Sequence, residues 1–183
     1  MENKPKIDTI YIDLDGVVVD LHKLISAHLQ VDEFDLEKEI KVLSCFNRYE
    51  EKFFPIIFEL IKKESFKDAP EKAFSNLLKI LYIPLWKSRG ITVEFLSSTM
   101  KTNPLRESLK KQKREWVDNH YPGIILNLVD GSSFKKDFAR PRALLIDDSV
   151  SNVLSFKAYG GFGLHYDNLD NVVENGCNPM LIK

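Results

Sequence analysis

Three short apolar runs end in oxygen-bearing residues, and they set the outline of the chain. Ile10-Tyr11-Ile12 leads into Asp13-Leu14-Asp15-Gly16, Ile91 to Leu96 into Ser97-Ser98-Thr99, and Ala143 to Ile146 into Asp147-Asp148. Their β-branched and aromatic content is that of buried strands. Nothing inside such a strand could solvate ionised carboxylates, so the polar residues belong at the carboxyl ends, the rim where open parallel sheets hold ligands. Between the runs the spacing turns helical. Leu21, Leu24, Ile25 and Leu29 share one face of a helix predicted over Leu21 to Gln30. An acidic stretch, Val31 to Glu39, is followed by the apolar-aromatic segment Phe53 to Ile61 and by Phe66. Pro70 opens a crossover helix whose Ala73, Leu77, Leu78, Leu81 and Tyr82 are expected to pack on the sheet before Trp86 and Gly90. Asn103 to His120 reads as a further helix, with Asn103 as N-cap, Pro104 in the first position, and Leu105, Leu109, Trp116 and Val117 as its apolar stripe.

After the apolar run Ile124 to Val129, Ser149 to Asn152 opens a helix with Val153 and Phe156 inward. Tyr159 to Tyr166 then reads as a glycine turn and a short final strand. This glycine-rich string follows a helix instead of opening one, so it is no phosphate loop. Strands alternating with helices predict an α/β fold, a Rossmann-like three-layer α/β/α core on a parallel sheet.

Composition narrows the class without choosing within it. A chain of 183 residues suits one domain with a modest insert. Its net charge of −1 provides no general attraction to nucleic acid or to an anionic membrane, and neither is expected as a partner. Met1 to Lys6 is polar and the first apolar run is short and acidic, unlike a secretory signal. Cys45 and Cys177 are unpatterned and read as reduced thiols, so a cytoplasmic location is expected; a homodimer is compatible with the sequence.

The chemistry sits in the acidic residues. Two carboxylates one residue apart, Asp13 and Asp15, repel each other unless a cation lies between them or they have different tasks. A hard ion such as Mg²⁺ suits them, since it takes one or two carboxylates together with waters and substrate phosphate. Gly16 lets the chain leave the strand sharply. An ordinary surface turn would also use Asp and Gly, but it would not explain why two further strands end in Ser97 and in Asp147-Asp148. If the strands are parallel neighbours, all of these residues meet at one rim.

Asp13-Leu14-Asp15-Gly16-Val17, the strand ending at Ser97, and Leu145-Ile146-Asp147-Asp148 occur in the order seen in the haloacid dehalogenase-like hydrolase superfamily, which the chain resembles. The order differs from that of receiver domains, whose acidic pair lies on the first strand. The resemblance implies Asp13 as nucleophile, Asp15 as general acid/base, Ser97 and Ser98 at the phosphate, and Mg²⁺ held by Asp13, the Asp15 backbone carbonyl, Asp147 and Asp148. It also implies a lysine against the phosphoryl charge. Lys136 is the first choice, then Lys135 in the same loop, with Lys113 as competitor on the inward side of its helix. Lys110, Lys111 and Arg114 around it read as a solvated basic face.

Residues 20–67 resemble the small helical cap that this superfamily inserts after its first strand, which leaves 1–19 and 68–183 as the core. Leu96-Ser97-Ser98, Lys113-Arg114-Glu115-Trp116-Val117, the Lys135-Lys136 loop and Glu64 to Pro70 are similar to the 5′(3′)-deoxyribonucleotidases, although those enzymes have Thr at the position of Ser97. The expected function is therefore a Mg²⁺-dependent phosphatase acting through an aspartyl-phosphate on a small phosphomonoester, first of all a (deoxy)nucleoside monophosphate. A sugar phosphate, a nucleic-acid 3′-phosphate, or a catalytically silent binding protein of the same fold are the alternatives. Phe46, Tyr49, Phe53, Phe54, Phe58 and Phe66 could stack a nucleobase, though most of them should form the cap's own core.

Overall fold

In the computed structural model of the protein, residues 7–45, 49–101 and 103–166 are described. Met1 to Lys6, Phe46, Cys177 and the segment beyond Tyr166 fall outside them.

The apolar runs form a five-stranded, wholly parallel sheet with the order β3-β2-β1-β4-β5, in which β1 is Thr9–Ile12, β2 Thr92–Ser98, β3 Ile125–Val129, β4 Ala143–Asp147 and β5 Phe162–His165. Ile12 stands opposite Phe95 on one side and Ile146 on the other. β1 and β4 are buried throughout, as central parallel strands covered on both faces must be. Alternation along the strands divides two cores. Ile10, Ile12, Phe95 and Ile146 face Phe74, Leu78, Trp86, Trp116 and Val117, while Tyr11, Leu96 and Leu145 face Phe156 and Phe138. This is the three-layer α/β/α, Rossmann-like arrangement.

The helices are α1 Leu21–Leu29, α2 Glu33–Cys45, α3 Tyr49–Lys62, α4 Ala73–Leu77, α5 Ile83–Ser88, α6 Arg106–His120 and α7 Val150–Ala158. The crossover differs from the regular helix expected. Leu78–Tyr82 forms a π-helical turn between α4 and α5. Pro84 follows this wide turn; a proline has no N–H to give and its ring crowds the carbonyl four residues back. Phe74, Leu78, Tyr82 and Trp86, four residues apart across this wide turn, lie on the sheet; Leu81 within the turn is exposed, and so is Ala73 at the start of α4, contrary to their expected inward positions. The helix foreseen from Asn103 begins at Arg106, because Asn103 and Pro104 make a turn instead: the Asn103 side chain accepts from Leu105 N at 2.8 Å and its carbonyl from Arg106 N at 3.0 Å.

α1, α2 and α3 lie between β1 and the crossover and have their own core of Ile25, Leu36, Ile40, Phe53 and Leu60. Asp20 caps α1, accepting from Lys23 N at 3.0 Å. The chain leaves and returns side by side: Asp20 N donates to Pro70 O at 2.8 Å, Lys72 N donates to Val18 O at 2.9 Å, and Val19 bridges Glu71. Gln112 of α6 ties this helical insert to the sheet layer, giving a hydrogen bond to Ile61 O at 2.8 Å and taking one from Phe66 N at 3.0 Å. No helix among the described residues is long and apolar enough to cross a membrane.

Candidate active site

From β1 the chain proceeds to β2 and β3 on one side and then jumps to β4 on the other, so the strand order reverses between β1 and β4. Parallel sheets open a crevice at such a point. Asp13 follows β1, and Asp147 and Asp148 end β4. Beyond Asp13 the backbone tightens into a loop in which Leu14 O accepts from Val17, Val18 and Val19 N. Gly16 takes φ +79° there, and a Cβ at this position would lie 1.9 Å from Asp148 Oδ2. A glycine is required both by the backbone and by the space.

Asp13 is buried; its Oδ1 accepts from Leu14 N at 2.8 Å and its Oδ2 meets Lys135 Nζ at 2.7 Å. The same ammonium lies 2.6 Å from Asp147 Oδ2. Asp147 is fully enclosed, and its oxygens also accept from Ser149 N and from Asn152 Nδ2. No hydrogen bond reaches the Asp148 carboxyl among the described residues. Carboxylate oxygens of Asp13, Asp147 and Asp148 lie within 4.8 Å of one another, a donor set for a hard divalent cation.

The electrostatics agree with that fit. Burial pushes the Asp13 carboxyl up to about 7, against the attraction of Lys135 and with the help of the Asp147 and Asp15 charges. Asp148 has an exposed edge, yet the burial of its carboxyl, with the Asp147 charge added, pushes it up to about 6. Lys135, almost wholly buried, is pushed up to about 12 by the Asp13 and Asp147 charges, which outweigh its desolvation. The cluster has more negative charge than its lysine balances, a deficit that a divalent cation would fill.

A second charge group stands beside the first. Lys113 is as buried as any core residue, and its Nζ is 2.6 Å from Asp15 Oδ2, 2.8 Å from Ser97 Oγ and 2.8 Å from Ser98 O. Three protons meet three acceptors, with the ammonium 5.3 Å from the centre of the Phe66 ring. Asp15 Oδ1 is buried without a partner, the one such carboxylate oxygen among the described residues.

Of the expected residues, the fold gathers Asp13, Asp15, Ser97, Ser98, Lys113, Lys135, Asp147 and Asp148. It takes Lys136 elsewhere. Ser132–Phe138 is a 3₁₀ helix, in which successive side chains diverge by a third of a turn, so turning Lys135 inward turns Lys136 outward. Lys136 Nζ donates to Tyr159 OH at 3.1 Å and lies over that ring. The order of preference among the three lysines is thus corrected: Lys135 and Lys113 touch the aspartates, and Lys136 does not. Asn152, Lys72 and His22 also border the site and were not foreseen. Asn152 had a signal, five residues after Asp147 in the first turn of α7; Lys72 and His22 had none.

Two cavities of about 460 Å³ meet at Asp15, Leu21 and Ser98. One is polar, lined by Asp13, Asp148, Lys135, Asn152, His22 and Lys72. The other is largely apolar, lined by Phe54, Ile57, Phe58, Phe66, Met100 and Leu109, with Lys101 and Lys113 at its edge. The Phe54 and Phe58 rings are 6.0 Å apart. Phe53, on the inner side of α3, is a fully buried core residue of the insert.

No protein-family model and no curated protein sequence matches the chain. Among solved structures, 17 chains are similar. One is an L-2-haloacid dehalogenase from Xanthobacter autotrophicus with chloropropionic acid covalently bound: it is 9% identical, the alignment covers 94% of this chain and 83% of that one, and the TM-score is 0.49. A likeness of that strength leaves the chemistry to be argued from the site itself.

Proposed function

We propose that the chain is a Mg²⁺-dependent phosphomonoester hydrolase of the haloacid dehalogenase-like kind, working through an aspartyl-phosphate on Asp13, with (deoxy)nucleoside monophosphates as its substrates. The observation that carries this reading is the division of the rim into two ion clusters, Asp13–Lys135–Asp147 and Asp15–Lys113–Ser97, around one point at the strand-order reversal.

Each cluster has a separate task. Asp13 is the nucleophile: a carboxylate oxygen forms the bond to phosphorus as the bond to the leaving oxygen breaks. Lys135 orients Asp13 and favours its ionised form against the burial that raises it. Asp15 can move a proton at Oδ1, the oxygen that Lys113 leaves free, giving it to the leaving alkoxide and later taking one from the water that opens the acyl phosphate. Ser97 accepts from Lys113, so its own hydroxyl proton is available to a phosphoryl oxygen. Asp13, Asp147, Asp148 and the Asp15 carbonyl would hold Mg²⁺, with Asp147 also anchoring Lys135 and Asn152. When bound, the ion supplies further positive charge against the phosphoryl oxygens. The apolar cavity on the far side of Asp15 suits the leaving group, and the Phe54 and Phe58 rings there suit a nucleobase.

Release of phosphate from p-nitrophenyl phosphate should require Mg²⁺ and vanish in Asp13→Asn. A panel of deoxy- and ribonucleoside monophosphates, 5′ and 3′ esters and sugar phosphates then tests the substrate. Clean, metal-loaded protein that is inactive on every ester would overturn the hydrolase reading, and equal weak activity on all of them the nucleotide preference.

A further inference from the structure

The polar cavity has basic side chains that the reaction at Asp13 does not use. Lys135 is committed to Asp13 and Asp147, and Lys113 to Asp15. Lys72 and His22 line the same cavity but take no part in either cluster. No ion pair or hydrogen bond of the Lys72 side chain is found among the described residues, although Asp148 is near enough for the lysine's charge to lower the acid's pKa. Burial, joined by the charge of Lys72, holds the His22 imidazole below its usual value, while Asp20 and Glu37 act the other way.

The fold fixes both groups. Lys72 N is bonded to Val18 O, its neighbour Glu71 is bridged to Val19, and His22 stands in the first turn of α1 behind the Asp20 cap. They come from opposite ends of the helical insert and line one cavity because the chain leaves and re-enters the core at one place. Both are half-buried, whereas Asp13 and Lys135 are buried, so the pair occupies the outer part of the cavity. The apolar cavity has room for the base of a leaving nucleoside, and since the two cavities meet at Asp15, Leu21 and Ser98, the outer polar volume is free for a second phosphate on its sugar. Two basic groups lining one cavity with no carboxylate hydrogen-bonded to either are stabilised by a multivalent anion placed between them.

We infer that Lys72 and His22 form a second anion subsite, and that the preferred substrates carry a second phosphate group in addition to the one cleaved at Asp13. This rests on the phosphatase reading and goes beyond its monophosphate substrates, which the same site takes with lower kcat/KM.

The test compares a deoxynucleoside 3′,5′-bisphosphate with the corresponding 5′ and 3′ monophosphates. The native protein should show kcat/KM about tenfold higher on the bisphosphate, expressed in KM, and the preference should shrink as salt is raised, because the subsite is open to solvent. In Lys72→Met combined with His22→Gln the ratio of bisphosphate to monophosphate should fall toward one, with thermal melting checking that the variant is folded. A native ratio near one overturns the proposal. So does a variant in which both substrates lose equally, since the pair would then act on the reacting phosphate or its metal. If the native protein hydrolyses none of the three, the phosphatase reading fails separately. Equilibrium binding then decides the subsite: about tenfold tighter binding of the bisphosphate, lost in the double variant, supports it, and equal binding of mono- and bisphosphate sinks it.

Discussion

Gly16 is the residue on which the metal-binding geometry turns. Its φ of +79° and the 1.9 Å approach of Asp148 Oδ2 to a Cβ built there mean that even one methyl group must displace Asp148 or unwind the loop after Asp13. Gly16→Ala should therefore weaken Mg²⁺ binding and lower kcat by about a hundredfold, the usual penalty for an ångström of misplacement at a reacting centre. Titration of metal-dependent activity measures it; a variant with native metal affinity would show that Asp148 is not a ligand. The glycine and the aspartates were legible in the sequence because each closes an apolar strand, and strand ends at a parallel rim are a matter of register. The lysines were harder. Lys135 and Lys136 are adjacent, and which of them points inward depends on the 3₁₀ winding of Ser132–Phe138. Lys113 looked like one member of a basic face. Its neighbours are indeed paired with surface acids, Lys110 with Glu107 and Lys111 with Glu115, while the inward phase of Lys113 places it alone among buried acceptors.

At the scale of elements, α6 does two things with one face. Trp116 and Val117 pack on the sheet, with Trp116 Nε1 donating to Ala69 O at 2.9 Å, while Gln112 and Lys113 reach the helical insert and the rim. Gln112→Leu would leave Phe66 N–H, in buried surroundings, without its partner, and Ile61 O with the bond from Glu64 N alone. It should destabilise the protein by about 1–3 kcal/mol. Urea denaturation reads this directly, and unchanged stability would mean that water replaces the amide. The strands followed from the apolar runs because parallel strands buried on both faces need such runs. The crossover did not: a constant helical pitch puts Leu81 on the sheet side, and the π turn that contains it ahead of Pro84 leaves it exposed. The start of α6 was read two or three residues early for a related reason, since Asn103 caps a turn and not the helix itself.

For the whole molecule, the acidic cluster sets how stability responds to pH. Asp13 and Asp148 have folded values of about 7 and about 6 against 3.8 for an ordinary aspartate, so the folded chain holds more protons than the unfolded one between these values. Stability without metal then falls as pH rises through that window. His22, held below its usual 6.5, opposes this modestly, since its share is lost as pH falls. Metal-free protein should melt higher at about pH 5.5 than at about pH 8, Mg²⁺ should raise the melting temperature mainly at the higher pH, and Asp13→Asn should flatten the difference. A melting temperature indifferent to both pH and Mg²⁺ would contradict the electrostatic account. The hydrogen bond of 2.8 Å from Asp20 N to Pro70 O has a different kind of consequence. It makes neighbours of the two ends of everything between residues 21 and 69, so the length of that stretch does not enter the register of the strands. Under the proposed function, variation confined to its surface over the apolar cavity is a route to a new substrate preference that leaves the acidic residues at the strand ends where they are.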